Sequence, residues 1–231
     1  MSMGVCGLLC ALVIFVYVLA QEEQKLSSEE LRALGDRALQ AGSYEEAVQL
    51  YTKLLHEEPN RQINFYKRSM AYVMLKKLDL ALNDINSALI QDPDFTQGVF
   101  HRAKLQKRLG KCEEAIRDFE KIKGESAYSA EADEALQGLR KCRELKARAD
   151  ALAAKKAWQE IRHVLLELND IITDASKYLQ LEIRALFETG DYQSVIQKAG
   201  KLLMFDKNNV ETMMLRGQAY YQTGDDDMAL K

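Results

Sequence analysis

Residues 34–60 read LGDRALQAGSYEEAVQLYTKLLHEEPN, and residues 68–94 read RSMAYVMLKKLDLALNDINSALIQDPD. The two segments superpose without a gap and carry Pro59 and Pro93, the only two prolines of the chain, 34 residues apart. The same pattern continues at residues 102–122 with RAKLQKRLGKCEEAIRDFEKI. A fixed period of this length is typical of proteins built from repeated helix pairs.

Small residues recur at one position of the first helix and at one position of the second helix in each repeat. These residues are, in order, Gly35, Ser69 and Ala103 on the first helix, and Ala47, Ala81 and Ala115 on the second. Two antiparallel helices approach closely only where small side chains meet. Gly42 and Gly110 stand between the helices, where a glycine leaves the first helix in a left-handed conformation. The sequence therefore predicts stacked antiparallel helix pairs.

The spacing changes once along the chain. Gly190 and Gly224 are again 34 residues apart, but the distance from Gly110 to the next turn position, Lys156, is 46 residues, which is 34 plus 12. The intervening sequence has no proline and has apolar residues at helical spacing. We interpret the 12 additional residues, 130–141, as a lengthened helix that divides the array into two blocks of three repeats.

These aligned positions resemble the tetratricopeptide repeat (TPR) family, in which small, aromatic, alanine and proline residues recur in each repeat. The resemblance implies an all-α fold, a TPR superhelix, that is, an α-solenoid of antiparallel helix pairs. The predicted domains are a signal peptide at 1–20, TPR 1 at 28–61, TPR 2 at 62–95, TPR 3 at 96–129, a helical extension at 130–141, a divergent TPR 4 at 142–175, TPR 5 at 176–209 and a partial TPR 6 at 210–231.

A signal peptide followed by repeats with a long helix after the third is similar to the DnaJ subfamily C co-chaperones of the endoplasmic reticulum that inhibit the interferon-induced protein kinase. Residues 92–122 carry this likeness most clearly. In that family the repeats precede a J domain that stimulates the lumenal Hsp70. None of His56, His101 and His163 is followed by Pro-Asp, so the J-domain motif is absent from this sequence. The resemblance implies Hsp70 contact only for a longer form with a J domain.

The amino-terminal segment differs in composition from the rest of the chain. Residues 5–20 read VCGLLCALVIFVYVLA and carry no charge. This apolar run is shorter than the roughly 20 residues that cross a bilayer as a helix, but it suits the core of a signal peptide. We predict cleavage before Gln21 and localisation in the lumen of the endoplasmic reticulum. The alternative is an uncleaved signal anchor, and membrane attachment is expected only in that case.

Two of the four cysteines, Cys6 and Cys10, lie inside the predicted signal peptide. Cys112 and Cys142 remain in the mature chain, 30 residues apart. Free cysteine is among the most buried residue types, which favours two separate buried thiols. A disulfide in an oxidising compartment stays open as the alternative.

Apolar side chains outside the core positions predict a binding surface on the first helices of the repeats. The predicted client-binding residues are Leu39 of the first repeat, Ile63, Tyr66, Met70, Val73 and Met74 of the second, and Phe100 of the third. The unbranched thioether of methionine adapts to varied apolar partners. We therefore expect weak, promiscuous binding of clients, meaning unfolded or nascent polypeptides. The alternative is that these side chains belong to the core, since their assignment depends on the repeat register.

A different TPR function is capture of the acidic carboxyl-terminal peptide of Hsp70 or Hsp90 by a two-carboxylate clamp. The clamp positions of this sequence hold Arg32, Asp36, Lys67, Gln97 and His101. Asp36 would repel a carboxylate where such a clamp has asparagine, which disfavours this function.

Composition and motifs exclude other classes of function. The chain has 32 Lys and Arg against 35 Asp and Glu, and no basic cluster dense enough to neutralise a row of phosphates, so nucleic acid is not an expected partner. No catalytic motif, phosphate-binding loop or metal-ligand spacing appears, so we expect no enzyme activity, no cofactor and no metal. The prediction is a co-chaperone-like module of the unfolded-protein response, with a stress-responsive protein kinase as a further partner implied by the resemblance. The alternative is a membrane-anchored scaffold that assembles one folded partner.

Overall fold

The computed structural model describes residues 26–229, which form twelve helices and no strand. The all-α fold that the sequence predicts is therefore confirmed. The predicted signal peptide at 1–20 and its cleavage site before Gln21 lie outside the described residues. Within residues 26–229, none of the helices combines the length and the apolar character needed to cross a membrane.

The helices follow one another with short connections. Their bounds are α1 Ser28–Ala41, α2 Tyr44–Glu57, α3 Gln62–Met74, α4 Leu78–Gln91, α5 Thr96–Arg108, α6 Cys112–Ile122, α7 Ser129–Ala154, α8 Trp158–Asn169, α9 Ser176–Glu188, α10 Tyr192–Phe205, α11 Val210–Gln222 and α12 Asp226–Ala229. The chain divides into two compact units after Lys77. Unit 1 contains α1 to α3, and unit 2 contains α4 to α12. This boundary falls inside the predicted TPR 2, and the division of the chain into repeats stays a prediction.

Unit 1 is a helical hairpin with a third helix packed against it. Ser27 caps α1 by accepting a hydrogen bond from the Glu30 amide, and the Glu30 carboxylate accepts one from the Ser27 amide. Gly35 lies against the ring of Tyr51, and a Cβ atom at Gly35 would stand only 2.9 Å from Tyr51 Cζ. A glycine is therefore required where α1 and α2 cross. The core of unit 1 comprises Leu31, Ala38, Ala47, Leu50, Tyr51, Leu54 and Ala71.

The turns between paired helices use a left-handed residue at equivalent positions. Four of these residues are glycines with φ between 69° and 81°, as at Gly42 and Gly110. Lys76 and Lys156 take the same position with φ of 59° and 56°. The turn geometry is thus kept even where the sequence lacks the residue that adopts it most easily.

In unit 2 each helix packs against its neighbour in the chain, and α9 also contacts α11. The longest helix, α7, has 26 residues and continues without a break through the predicted extension at 130–141 into the predicted TPR 4. Its sequence contains no proline and is rich in alanine, leucine, arginine and glutamate, which favour helix. The aligned small residues Ala81, Ala103 and Ala115 are fully buried in this unit.

A disulfide joins Cys112 at the start of α6 to Cys142 in α7. Both residues are buried, as expected, but they are not the separate thiols that burial alone favoured. The uninterrupted α7 brings residue 142 beside the beginning of α6, with 6.6 Å between the two Cα atoms. That separation lies within the range that a disulfide spans.

Candidate functional site

The predicted client-binding residues of the second repeat lie on α3, at the surface of unit 1. Met70 and Met74 are 39% and 54% exposed, whereas Ile63, Tyr66 and Val73 are half-buried. The five residues are three, four, three and one positions apart, so their side chains form one stripe along the helix. Ala71 of the same helix lies in the core of unit 1, whereas the two methionines are in contact with solvent. We call these five residues the α3 stripe.

The two flanking residues have different surroundings. Leu39 is half-buried and packs against the core of unit 1. Phe100 belongs to unit 2, where its ring centroid lies 4.6 Å from that of Tyr128 and 6.1 Å from that of Phe119. The Lys104 ammonium stands 5.0 Å from the Phe100 ring centroid. Phe100 is therefore partly covered by its own unit.

An ion pair links the first and third helices of unit 1. Lys67 Nζ lies 2.7 Å from Asp36 Oδ2, and the Tyr51 hydroxyl donates a hydrogen bond to Asp36 Oδ1. Burial raises the pKa of Asp36, but the hydrogen bonds from Lys67 and Tyr51 outweigh it and hold the pKa below its usual value. Burial, and then the bond to Asp36, raises the pKa of the Tyr51 phenol. Asp36 is thus a charged acceptor held by two donors.

A second carboxylate of unit 1 binds the other nearby cation. Arg32 Nη2 lies 2.6 Å from Glu58 Oε2, and the Asn64 amide donates to the same oxygen at 3.1 Å. Burial raises the pKa of Glu58, but the two hydrogen bonds lower it by more. The pKa therefore lies below its usual value. Arg32 and Lys67, the two cations at clamp positions in unit 1, are therefore both bound by carboxylates of the chain itself. This arrangement disfavours capture of an acidic peptide at these positions.

The remaining clamp positions lie on α5 in unit 2. Burial, together with the charges of Lys104 and Arg108, lowers the pKa of His101 to about 4. The His101 imidazole is therefore uncharged at neutral pH and does not provide the cation that a carboxylate clamp needs. Gln97 is exposed and carries no charge.

The ion pairs between paired helices of unit 2 were not predicted from the sequence. Arg102 on α5 makes two hydrogen bonds of 2.7 Å to Asp118 on α6, and Lys198 on α10 lies 3.0 Å from Glu182 on α9. Each pair joins residues 16 positions apart. That constant spacing was the sequence signal that could have revealed them.

No metal-binding cluster accompanies the α3 stripe in the part of the chain that the structure describes. Among residues 26–229 there is no group of three or more His, Cys, Asp or Glu side chains that could hold a metal ion. What the described surface of unit 1 offers is an apolar stripe beside cations that are already paired.

No family model matches the chain. It is 26% identical over 165 residues to the DnaJ protein P58IPK homolog of Arabidopsis thaliana, an alignment that covers 71% of this chain and 34% of that protein. It is 24% identical over 200 residues to DnaJ homolog subfamily C member 3 of Homo sapiens, an alignment that covers 85% of this chain and 40% of that protein. The chain thus spans 34% to 40% of the length of these relatives.

The fold matches a solved structure over most of its length. The crystal structure of the P58IPK TPR domain superposes with a TM-score of 0.75 at 21% identity, covering 88% of this chain and 57% of the other. This likeness concerns the fold. Together with the 34-residue period, the buried small residues and the paired helices, it shows that the chain has a tetratricopeptide repeat fold and resembles the TPR region of the P58IPK-type DnaJ proteins.

Proposed function

We propose that the chain is a non-enzymatic, co-chaperone-like TPR module that binds unfolded or nascent polypeptides in the lumen of the endoplasmic reticulum. The observation that carries this proposal is the exposure of Met70 and Met74 on the α3 stripe, beside cations that are already paired. An apolar surface whose neighbouring clamp-position cations are paired does not select one ligand sequence, so it suits varied apolar segments.

The expected affinity follows from the size of such a surface. Burying about 400 Å² of apolar area contributes on the order of 10 kcal/mol before the costs of binding are subtracted. Ordering an unfolded chain and its side chains offsets most of that gain. Weak and broad binding is the consequence, and it is the behaviour that a holding chaperone requires in order to release its client.

The compartment is proposed from three independent features. The segment at residues 5–20 has the composition of a signal-peptide core. The disulfide between Cys112 and Cys142 is typical of proteins in oxidising compartments. The similarity to DnaJ subfamily C member 3 favours the same location. A part in the unfolded-protein response and the binding of a stress-responsive kinase are proposed from this similarity alone, and Hsp70 contact only for a longer form with a J domain.

The test of the α3 stripe compares two double variants of the full chain. The substitutions Met70→Glu and Met74→Glu place two charges on the stripe, and we expect about tenfold less suppression of aggregation of chemically denatured proteins, measured by light scattering. The matched control carries Ile90→Glu and Met204→Glu, which charge two side chains of unit 2 that are 75% and 73% exposed. Circular dichroism checks that both variants stay helical.

The outcomes separate the proposed function from its alternative. Loss of suppression in the stripe variant alone supports client binding on α3. Equal suppression by the stripe variant and the unmodified chain contradicts it. A scaffold would bind one folded partner and fail to suppress aggregation across a panel of denatured proteins.

A further inference from the structure

Methionine and leucine occupy different places in residues 26–209. Met70, Met74 and Met204 are the methionines of this range, and all three are exposed. The core uses leucine instead, as at the fully buried Leu54. Methionine is ordinarily among the residue types that are most often buried. The thioethers of this part of the chain therefore meet solvent and do not fill the core.

The cysteine sulfur atoms of the described chain are protected. Cys112 and Cys142 are joined in a disulfide, and both residues are buried. Oxidation of a cysteine requires thiolate character and access, and a buried disulfide has neither. Within residues 26–229 the methionine thioethers are thus the sulfur atoms that a dissolved oxidant can reach.

Met70 and Met74 are four residues apart on α3, so their side chains are neighbours on the helix surface. Neither residue belongs to the core of unit 1 or to the partly buried side chains that pack against this core. An oxygen atom added to either sulfur would therefore lie on the α3 stripe, in contact with water. Such a modification changes the surface of unit 1 and leaves the packing of its core as it is.

A hydroperoxide, the class of oxidant that includes hydrogen peroxide, converts a thioether to a sulfoxide. The sulfur lone pair attacks one peroxide oxygen, so that an S–O bond forms and the O–O bond breaks. The proton of the transferred oxygen passes to the departing oxygen, which leaves as water or as an alcohol. Sulfur loses two electrons and the peroxide gains them, so the reaction requires no further reactant.

The sulfoxide oxygen changes what the α3 stripe can bind. It accepts hydrogen bonds from water, and an apolar client segment offers no donor in exchange, so covering it costs free energy. Oxidation also turns a flexible apolar side chain into a polar, chiral one. Two neighbouring sulfoxides therefore oppose the apolar contact that two thioethers favour.

We propose that Met70 and Met74 form an oxidant-sensitive modification site, at which a hydroperoxide converts both thioethers to sulfoxides and thereby releases the client. Methionine sulfoxide reductases restore the thioethers, with two thiols as the reductant and water as the product. The inference rests on the proposed client binding by the α3 stripe and adds its regulation. The disulfide of Cys112 and Cys142 is typical of oxidising compartments, the setting in which such a site would operate.

The test treats the full chain with hydrogen peroxide, removes the excess with catalase and then measures suppression of aggregation of denatured proteins by light scattering. Trypsin releases residues 69–76, which carry Met70 and Met74, and residues 202–207, which carry Met204, so mass spectrometry reports the two regions separately. We expect about fivefold less suppression after oxidation of residues 69–76, with unchanged circular dichroism. Treatment with methionine sulfoxide reductases for both sulfoxide epimers is expected to restore suppression.

Leucine variants of the full chain locate the site, because leucine is an apolar side chain of similar volume without sulfur. The double variant Met70→Leu with Met74→Leu is expected to suppress aggregation like the unmodified chain and to keep this activity after peroxide treatment. The matched control, Met204→Leu, removes an exposed thioether from α10. It is expected to stay as sensitive to peroxide as the unmodified chain.

The outcomes separate this inference from the function on which it rests. If the untreated chain fails to suppress aggregation, client binding and its regulation are both wrong. If the chain suppresses aggregation equally before and after oxidation of residues 69–76, the regulation alone is wrong. A loss of suppression that persists in the leucine double variant overturns the inference, because oxidation elsewhere is then responsible. Oxidation of residues 202–207 without oxidation of residues 69–76 overturns it as well.

Discussion

The α3 stripe of unit 1 and the surface of α11 in unit 2 both expose methionines, yet the cations beside them have different partners. In unit 1, Asp36 and Glu58 bind Lys67 and Arg32, so the two cations at clamp positions are already paired. On α11 of unit 2, Met213 and Met214 are 43% and 59% exposed, and the nearby Arg216 donates a hydrogen bond to the Tyr220 hydroxyl. The same residue type is thus exposed in both units, beside cations with different partners. Methionine offers adaptable contact, and we expect the pairing of the neighbouring cation to influence specificity.

The largest expected effect comes from a substitution that disrupts the packing of unit 1. Gly35→Val places side-chain atoms within about 3 Å of the Tyr51 ring, and overpacking of this kind costs about 3 kcal/mol in the free energy of unfolding. We expect loss of client binding, because the α3 stripe depends on a folded unit 1. Chemical denaturation and the aggregation-suppression assay measure these effects.

The matched control for this variant is Gly138→Ala in α7. Its new Cβ atom would meet Ile171 at 3.8 Å, an ordinary contact, and alanine favours a helix interior by about 0.5–1 kcal/mol over glycine. The control is expected to be slightly more stable than the unmodified chain. If Gly35→Val were equally stable, the close crossing of α1 and α2 would be refuted.

A smaller effect is expected from freeing the paired cation Lys67 on α3. Asp36→Asn removes the carboxylate that pairs with Lys67 while keeping an oxygen that can accept from Tyr51. The freed ammonium should improve binding of an acidic peptide about fivefold, at a loss of stability of about 1–2 kcal/mol. Titration with an acidic and a neutral peptide at low and high salt measures the change, and the gain should vanish at high salt.

Asp133→Asn is the matched control, because Asp133 pairs with Lys123 where both side chains are more than half exposed. That change should alter neither stability nor peptide binding measurably. An unchanged peptide preference in Asp36→Asn would show that Asp36 does not set the specificity of unit 1.

The smallest expected effect concerns a feature that the two units share. Lys76 and Lys156 hold left-handed turns, one in each unit, and Lys76→Gly or Lys156→Gly should each stabilise the chain by about 1 kcal/mol. Gly190→Lys is the reverse substitution and serves as the control. Gly190 has φ of 81°, and an added Cβ atom would meet no other atom within 4 Å. This substitution should destabilise by a similar amount. Thermal denaturation measures all three, and a loss of stability in either lysine-to-glycine variant would contradict this account.

The amino-acid sequence by itself determined the repeat, the helix pairs and the turns. The small residues aligned by the 34-residue period are buried at the helix crossings, as at Ala47 and Ala115. Even Lys156, identified as a turn position from spacing alone, has the left-handed conformation of its glycine counterparts. These features follow from local geometry, because helical periodicity and turn conformation depend on residues close together in the chain.

Only the tertiary structure decided the pairing of distant side chains. The disulfide of Cys112 and Cys142 depends on how α7 lies against α6, and the binding of Lys67 by Asp36 depends on the approach of α3 to α1. Residue spacing does not give the distance between atoms on different helices. The ion pair of Arg102 with Asp118 likewise depends on tertiary packing, because an ion pair forms only where the fold brings two side chains within a few ångströms.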